Sequence, residues 1–383
     1  MSAEAPTRMI GRLRRNRLLS ALWRRVKAAV ALLRWNLRAV SGLVAAAEFE
    51  GKRRLLVIYD FASQPFSIGD ILVLQEASLV LRKVAGLDRV DLAFVYEPAS
   101  PVVPDPVFSQ IDTENFLWHL PTVLQAAQVN PHLGSLFLFD SHRRLEEFVS
   151  VNLHIYDVWP PLPQYASREY LYYRVFNEIL FDYFRKEKTL PRLEPRGPAK
   201  IWAKAFLERY VGSDVAITVQ LRKNPANPAR DSDYDSWISF FEFCRGRYPV
   251  KFLIIGAQQE VDPGLRQCSN VVVAKDHCTS VEQDLALIDA AVMHMGASSG
   301  PSMIAIFSGK PYCLFNTDLL VDRYRGSTRE GNRVTLFFGN PTQSLLFGPE
   351  DRDLIAFEFE RMWKTIEHSY SASESSAHGH EAS

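Results

Sequence analysis

Cysteine is scarce: Cys244, Cys268, Cys278 and Cys313 are the only four in 383 residues, and none pairs as C-x-x-C. Their spacing matches no disulfide framework and no zinc pattern, so they read as buried or idle thiols in a reducing compartment. The histidines show no H-x-x-x-H or H-E-x-x-H spacing, so no protein-bound metal and no metal cofactor is expected. Net charge is also missing. With 44 basic and 44 acidic residues, the chain is not a general polyanion binder, and nucleic acid is not an expected partner. No apolar run approaches the ~20 residues that a membrane-spanning helix needs, and no secretory h-region with a cleavage site is visible. Internal tandem repeats are absent. One absence is local: between Ala5 and Ala47 there is no acidic residue.

That acid-free stretch, residues 1–50, reads as a separate unit. Val26, Val30, Leu33, Leu37, Val40 and Val44 recur at helical spacing, with Arg24, Arg25, Lys27, Arg34, Arg38, Trp23 and Trp35 around them. This predicts a basic amphipathic helix. Residues 8–46 suit the surface of an anionic membrane. A helix packed on a neighbouring domain or another copy, or an Arg-rich transit peptide, fits the same pattern.

The remainder has an ordinary soluble composition, 47% hydrophobic and 23% charged, and a length that suggests two domains. Arg54–Phe61 reads as a buried strand, and Ile71–Val84 as a helix. Strands Asp91–Tyr96, Ser135–Phe139 and Val151–Val158 then alternate with helices Asp112–Val129, broken at Pro121, Ser141–Val149 and Arg168–Lys188. Three prolines in Thr189–Pro198 mark a linker. A second alternation follows, with strands Asp214–Leu221, Val250–Gly256, Val271–Ala274, Ala291–Met295 and Pro311–Phe315. Its helices are Ile201–Val211, Asp235–Arg247, Ser280–Asp289, Ser302–Phe307 and Glu350–His368. Alternation of this kind implies an α/β fold of two Rossmann-like domains. The expected division is an N-terminal domain over 51–190, a linker over 191–199, a C-terminal domain over 200–369 and an unstructured polar tail over 370–383. The carboxyl ends of both sheets would then face one cleft.

Three strand-end stretches carry the candidate chemistry. In Gly296–Pro301, GASSGP, Ser298 and Ser299 can cap the next helix, Gly300 permits close approach and Pro301 suits the first helical position. Such a turn offers amides to an anion such as a diphosphate, or it merely connects strand to helix. Asp70, after Gly69, can take a proton from an attacking hydroxyl or cap its helix. Arg222, after the uncharged strand Val219-Gln220-Leu221, can fork onto a phosphate or form an interdomain salt bridge. Gly256 ends a strand where a nucleotide base can rest on the backbone, and Glu260 can grip a ribose or lie in solvent. Lys275 follows another strand end. Thr279-x-x-Glu282 reads as a capping box, and Asp231, Asp233 and Asp235 as helix capping before Trp237.

Taken together these segments resemble glycosyltransferase family 9, the bacterial heptosyltransferases. Ile68-Gly69-Asp70-Ile71-Leu72 is similar to the family's N-terminal Gly-Asp helix. Thr279–Glu282 with Leu285–Ile288 resembles the helix before its donor motif. Ser298-Ser299-Gly300-Pro301, with Gly309-Lys310-Pro311, resembles the motif itself. Val219–Arg222 looks more like the strand-plus-Arg element of fucosyltransferase-type enzymes. The resemblance implies a GT-B type, inverting glycosyltransferase that uses a nucleotide-sugar without metal, with Asp70 as general base and Ser299, Gly300 and Pro301 at the donor phosphates. The family's motif Asp and His are replaced by Ser298 and Met303, which implies a donor other than ADP-heptose or a chain without catalysis. The implied acceptor is a surface polysaccharide or glycolipid, reached from the cytoplasm or the inner membrane face. A nucleotide-sugar 2-epimerase-like enzyme and a non-catalytic scaffold on the same fold are the alternatives.

Overall fold

The computed structural model describes Val26 alone among the first 53 residues, then residues 54–97, 116–162, 165, 172–224, 228–317 and 325–378. Apart from Val26, the expected N-terminal amphipathic helix therefore lies outside the described residues. Two compact units emerge, and they interleave along the chain. The first combines Met1–Pro65, Leu81–Val103 and His132–Tyr172. The second combines Phe66–Val80, Pro104–Pro131 and Tyr173–Ser383. Residues 66–80, 104–131 and 173–190, read from sequence as part of an N-terminal domain, thus group with the C-terminal unit.

Unit 1 is built on a four-stranded parallel sheet in the order β3-β2-β1-β4. Its strands are β1 (Arg54–Asp60), β2 (Val90–Val95), β3 (Leu133–Phe139) and β4 (Tyr156–Trp159). β1 and β2 read as unbroken apolar runs because both faces are covered; apart from Arg54 every one of their residues is buried. The buried Asp91 is satisfied by Ser135 N (2.8 Å), Tyr156 Oη (2.7 Å) and Arg54 Nη1 (3.3 Å). The helix α3 (His142–Asn152) covers the residues expected to start a strand at Val151; Ser141 caps it, accepting from Arg144 N at 3.3 Å.

Unit 2 holds an eight-stranded sheet in the order β10-β11-β12-β9-β8-β5-β6-β7. Its parallel strands are β5 (Val215–Gln220), β6 (Val250–Ile255), β7 (Val271–Val273), β8 (Met293–Ala297), β9 (Tyr312–Phe315) and β12 (Gln343–Leu346). Two short antiparallel strands close one edge, β10 (Thr328–Glu330) and β11 (Arg333–Thr335). They carry Arg329 and Arg333. Glu330 pairs with Arg333 across Gly331-Asn332, a two-residue hairpin connection.

Among the described residues six helices lie wholly in unit 2: α2 (Phe116–Ala126), α5 (Gly197–Tyr210), α6 (Tyr234–Cys244), α7 (Val281–Ala290), α8 (Ser302–Ser308) and α9 (Arg352–His378). Two more are shared: α1 (Ile68–Val84), divided at Val80, and α4 (Tyr172–Glu187), whose first residue alone falls in unit 1. α9 extends through ten residues read as helix end and unstructured tail, 369–378. No helix among the described residues is long and apolar enough to cross a membrane. Trp237, Phe240, Phe241, Phe252, Phe315 and Phe359 form the centre of the unit 2 core.

A buried acid, Glu350, meets that core at Trp237. Glu350 accepts from Asp233 N (2.8 Å) and Trp237 Nε1 (2.9 Å), and burial pushes its carboxyl up to about 7. A carboxyl raised in the folded state favours folding at low pH, and that contribution disappears as pH rises from the unfolded value near 4.5 through 7. The full swing is roughly 3 kcal/mol. Glu350→Gln keeps the acceptor and removes the titration. Its stability relative to wild type, measured by urea unfolding, is expected to rise between pH 4.5 and 8. A flat difference curve would contradict the assignment.

Candidate functional site

The strand order of unit 2 reverses between β5 and β8, the place where open α/β sheets bind ligands beyond the strand ends. Gln220 pairs there with Gly296. Gly296 has φ +121°, and a Cβ at this position would lie 2.0 Å from Gln220 O. Only a bare backbone fits so close to the neighbouring strand. Past this pair the chain enters the Ser298–Pro301 turn.

The two serines do not cap α8. Pro301 occupies the cap position with helical φ −59° and no side-chain cap bond. Ser298 N donates to Phe315 O at 3.2 Å, and Ser298 O accepts from the Arg230 guanidinium. Ser299 Oγ lies 3.3 Å from Ser302 Oγ. Beneath the turn the fully buried His294 spans Thr218 Oγ1 and Ser302 Oγ, each at 3.0 Å. Burial lowers its imidazole to about 3, so the ring is neutral and hydroxyls can satisfy it. Its contribution to stability is lost as pH falls from 6.5 toward 3. It therefore opposes the Glu350 contribution over the window the two share.

Gly300 does permit a close approach, and the neighbour is the start of α1. A Cβ on Gly300 would come within 2.9 Å of both Gly69 N and Ile68 Cβ, and one on Gly69 within 3.2 Å of Gly300 Cα. The Gly-Asp segment and the Ser-Gly-Pro turn, 230 residues apart in sequence, thus touch backbone to backbone inside one unit. Asp70 is buried in the first turn of α1. Ser67 rather than Asp70 does the capping, since its Oγ accepts from Asp70 N at 3.5 Å. The acid gains from the positive helix end without being needed as a cap.

Beyond β5, the segment 222–232 is drawn together where Ser232 N donates to Arg222 O (2.9 Å) and Arg222 N donates to Ser232 Oγ (3.2 Å). The guanidinium nitrogens Nε and Nη2 of Arg222 are buried and have no hydrogen-bond partner among the described residues; the same holds for Gln220 Oε1. Arg222 forms no salt bridge among the described residues. Its charge acts on Glu260, whose carboxyl is raised by burial and drawn back by Ala257 N and Arg222. Gly256 sits beside both: a Cβ there would meet Gln220 Nε2 and Glu260 Oε2 at 3.4 Å each.

Lys275 is engaged within the protein. Its ammonium pairs with Asp284 at 2.8 Å and donates to Thr279 O at 2.6 Å. Burial raises the Asp284 carboxyl, and Lys275 counteracts it. Asp284 Oδ2 also accepts from Gly256 N at 3.4 Å, so Lys275 bears on the site by holding the acid that steadies the β6 loop. The capping box on α7 is Ser280 with Gln283, one residue later than the sequence suggested. Thr279 instead donates to Asp284 at 2.6 Å, and Glu282 pairs with Arg196 at 2.7 Å. Asp233 caps α6, as expected. No metal-holding group of His, Cys, Asp or Glu exists among the described residues.

The arrangement therefore brings Gly69, Ser298, Ser299, Gly300 and Pro301 together, and separately Arg222, Gln220, Gly256 and Glu260. Gln220 and Gly296 were missed from sequence. A glycine inside the strand MHMGA was the available signal for the latter.

No family model matches the chain, and no curated protein matches it. Among solved structures it is similar to a glycosyl transferase family 9 protein from Veillonella parvula, with 13% identity, TM-score 0.47, and coverage of 82% of this chain and 89% of that one. It is also similar to the ADP-heptose LPS heptosyltransferase II of E. coli, with 11% identity, TM-score 0.48, and coverage of 82% and 99%. A putative UDP-N-acetylglucosamine 2-epimerase from Listeria monocytogenes shows 7% identity, TM-score 0.35, and coverage of 83% and 89%.

Proposed function

We propose that this chain is a glycosyltransferase that binds a nucleotide-sugar at the carboxyl edge of the unit 2 sheet. The observation that carries the reading is the set of buried polar atoms at the end of β5 that have no hydrogen-bond partner among the described residues: Gln220 Oε1 and Arg222 Nε and Nη2. Buried polar groups without partners are costly, so a switch point that keeps three of them implies a ligand that pairs them. A planar guanidinium with two unused donors matches a phosphate. Arg222 would neutralise charge on the departing diphosphate, and the Ser298–Pro301 amides would bind the same group. Gln220, Gly256 and Glu260 would hold the nucleoside. Asp70 would take the proton of the attacking acceptor hydroxyl, which gives inversion by direct displacement without a metal. The acceptor is a carbohydrate or glycolipid.

A stabilisation screen of the full chain with UDP, GDP, ADP and CMP tests this. At a hundredfold excess over Kd the right nucleotide should stabilise the fold by about 2.7 kcal/mol. Arg222→Ala should weaken that nucleotide's affinity roughly 10- to 100-fold, the worth of a charge-assisted hydrogen-bond pair. Stabilisation by none of the four would remove the reading. Conversion of a nucleotide-sugar into its epimer with no acceptor present would replace transfer by epimerisation.

A further inference from the structure

Four polar side chains form a row beneath and within the Ser298–Pro301 turn, and three of them are sealed from solvent. Thr218 in β5 and His294 in β8 are register partners, and Thr218, His294 and Ser302 are each at most 1% exposed. Ser299, half-buried, ends the row at the turn. The spacings are 3.0 Å from Thr218 Oγ1 to His294 Nδ1, 3.0 Å from His294 Nε2 to Ser302 Oγ, and 3.3 Å from Ser302 Oγ to Ser299 Oγ. Two carbonyls flank the row. Met293 O lies 3.3 Å from Thr218 Oγ1, and Ala297 O lies 3.3 Å from Ser302 Oγ.

Counting protons leaves two orders for this row. The neutral ring has one N–H and one lone pair to share between two hydroxyls, and each hydroxyl has one proton. With the proton on Nδ1, the ring donates to Thr218, Thr218 donates to Met293 O, and Ser302 donates to Nε2. Ser299 then donates inward to Ser302 and shows only lone pairs to the outside. With the proton on Nε2 the row reverses. Thr218 donates to Nδ1, the ring donates to Ser302, and the Ser302 proton goes to Ala297 O or to Ser299. Ser299 can then point its O–H outward. Both orders use contacts of the same lengths, so geometry alone favours neither.

A phosphate oxygen breaks the balance, because it only accepts. In the Nδ1–H order, a Ser299 hydroxyl turned toward phosphate would leave two serine oxygens 3.3 Å apart with no proton between them. In the Nε2–H order the row runs unbroken from Thr218 through His294, Ser302 and Ser299 to the phosphate, and each bond polarises the next. We propose that Thr218, His294 and Ser302 are positioning residues that turn the Ser299 hydroxyl outward as a phosphate donor, and that a bound phosphate fixes His294 as its Nε2–H tautomer. This rests on the reading above, in which the turn meets the donor diphosphate, and adds what orients its hydroxyl. His294 touches no substrate in this arrangement. It decides whether a ligand meets the proton or the lone pairs of Ser299. A histidine kept only for packing would be indifferent to what lies above the turn.

The test is calorimetric titration of the full chain with inorganic pyrophosphate and with UDP, GDP, ADP and CMP, on wild type, Ser299→Ala, Ser302→Ala and the double variant. Ser299→Ala should weaken binding about tenfold and Ser302→Ala about threefold, the worth of one charged and one neutral hydrogen bond. Because Ser302 acts through Ser299, the double variant should bind as Ser299→Ala does. In long-range ¹H–¹⁵N NMR of the histidine-labelled wild type, with His294 assigned by His294→Gln, the ring should move to the Nε2–H tautomer on saturation with pyrophosphate. Circular dichroism checks that each variant is folded. The tautomer decides if Ser302→Ala is not, and the serine variants decide if His294→Gln is not. Wild-type affinity in folded Ser302→Ala, additive losses in the double variant, or an Nδ1–H ring at saturation would overturn the row. Any of these alongside nucleotide binding would overturn the row alone. Pyrophosphate binding with the expected losses but without nucleotide binding would overturn the transfer reading alone, and binding of neither would overturn both.

Discussion

Gly296→Ala is expected to destabilise the fold by about 4 kcal/mol, adding typical costs of overpacking and of a strained backbone angle. The added methyl would meet only main-chain atoms of the adjacent strand: Gln220 O at 2.0 Å, and Gln220 C and N at 2.8 Å each. No rotamer can relieve that contact. β5 and β8 would have to separate at their carboxyl ends, where the proposed nucleotide site lies. Against a typical total of about 5–15 kcal/mol, this is a large fraction. Gly212→Ala is the control. Gly212 also has positive φ, +67°, but nothing lies within 4 Å of its would-be Cβ, so its cost should be only about 1–2 kcal/mol. Guanidinium unfolding of both variants separates the effects. Equal midpoints would show that the close strand contact is unimportant.

Asp70→Asn is expected to lower turnover about 10²- to 10⁴-fold, the usual worth of a positioned general base, while nucleotide stabilisation stays as in wild type. The substitution conserves shape and leaves the Ser67 cap on α1 in place. Loss of a favourable charge at the helix start costs only about 0.3–1 kcal/mol, so folding should survive. Turnover can be followed as release of the nucleoside diphosphate in the presence of an acceptor-bearing membrane fraction. Wild-type turnover in the variant would take Asp70 out of the mechanism. Joint loss of turnover and nucleotide binding would recast it as a structural acid of the α1 start.

Sequence conveyed most where one local rule sufficed. RLLVIYDF, VAITVQ and VKFLII are apolar runs of strand length, and each forms a strand buried on both faces. The Ser-Ser-Gly-Pro turn was visible because glycine and proline punctuate the chain. The partners of these residues were not visible. Ser298 and Ser299 look like caps in any strand-to-helix connection, yet Phe315 and Arg230 hold the first and Ser302 meets the second. Gly300 announces close approach without naming its neighbour, which proves to be Gly69. Lys275 reads as one more polar residue at a strand end, and its partner Asp284, nine residues on, returns from α7 to pair with its ammonium. Thr218 and His294 are single polar residues 76 positions apart in two apolar strands. They become partners only once the register of β5 and β8 is known.

The split membership of α1 has a consequence for synthesis. Ile71–Leu74 and Ala77–Val80 are buried in the finished protein, yet the stretch to which they belong groups with a unit that extends to the C-terminus. At about 5–20 residues per second, roughly 15 to 60 s separate the emergence of this apolar helix from the ribosome and completion of the strands that unit requires. For that interval the nascent chain presents a greasy surface awaiting partners still unmade, a natural client for holdase chaperones. Slowing translation after residue 80 in a cell short of such chaperones should therefore lower the soluble yield.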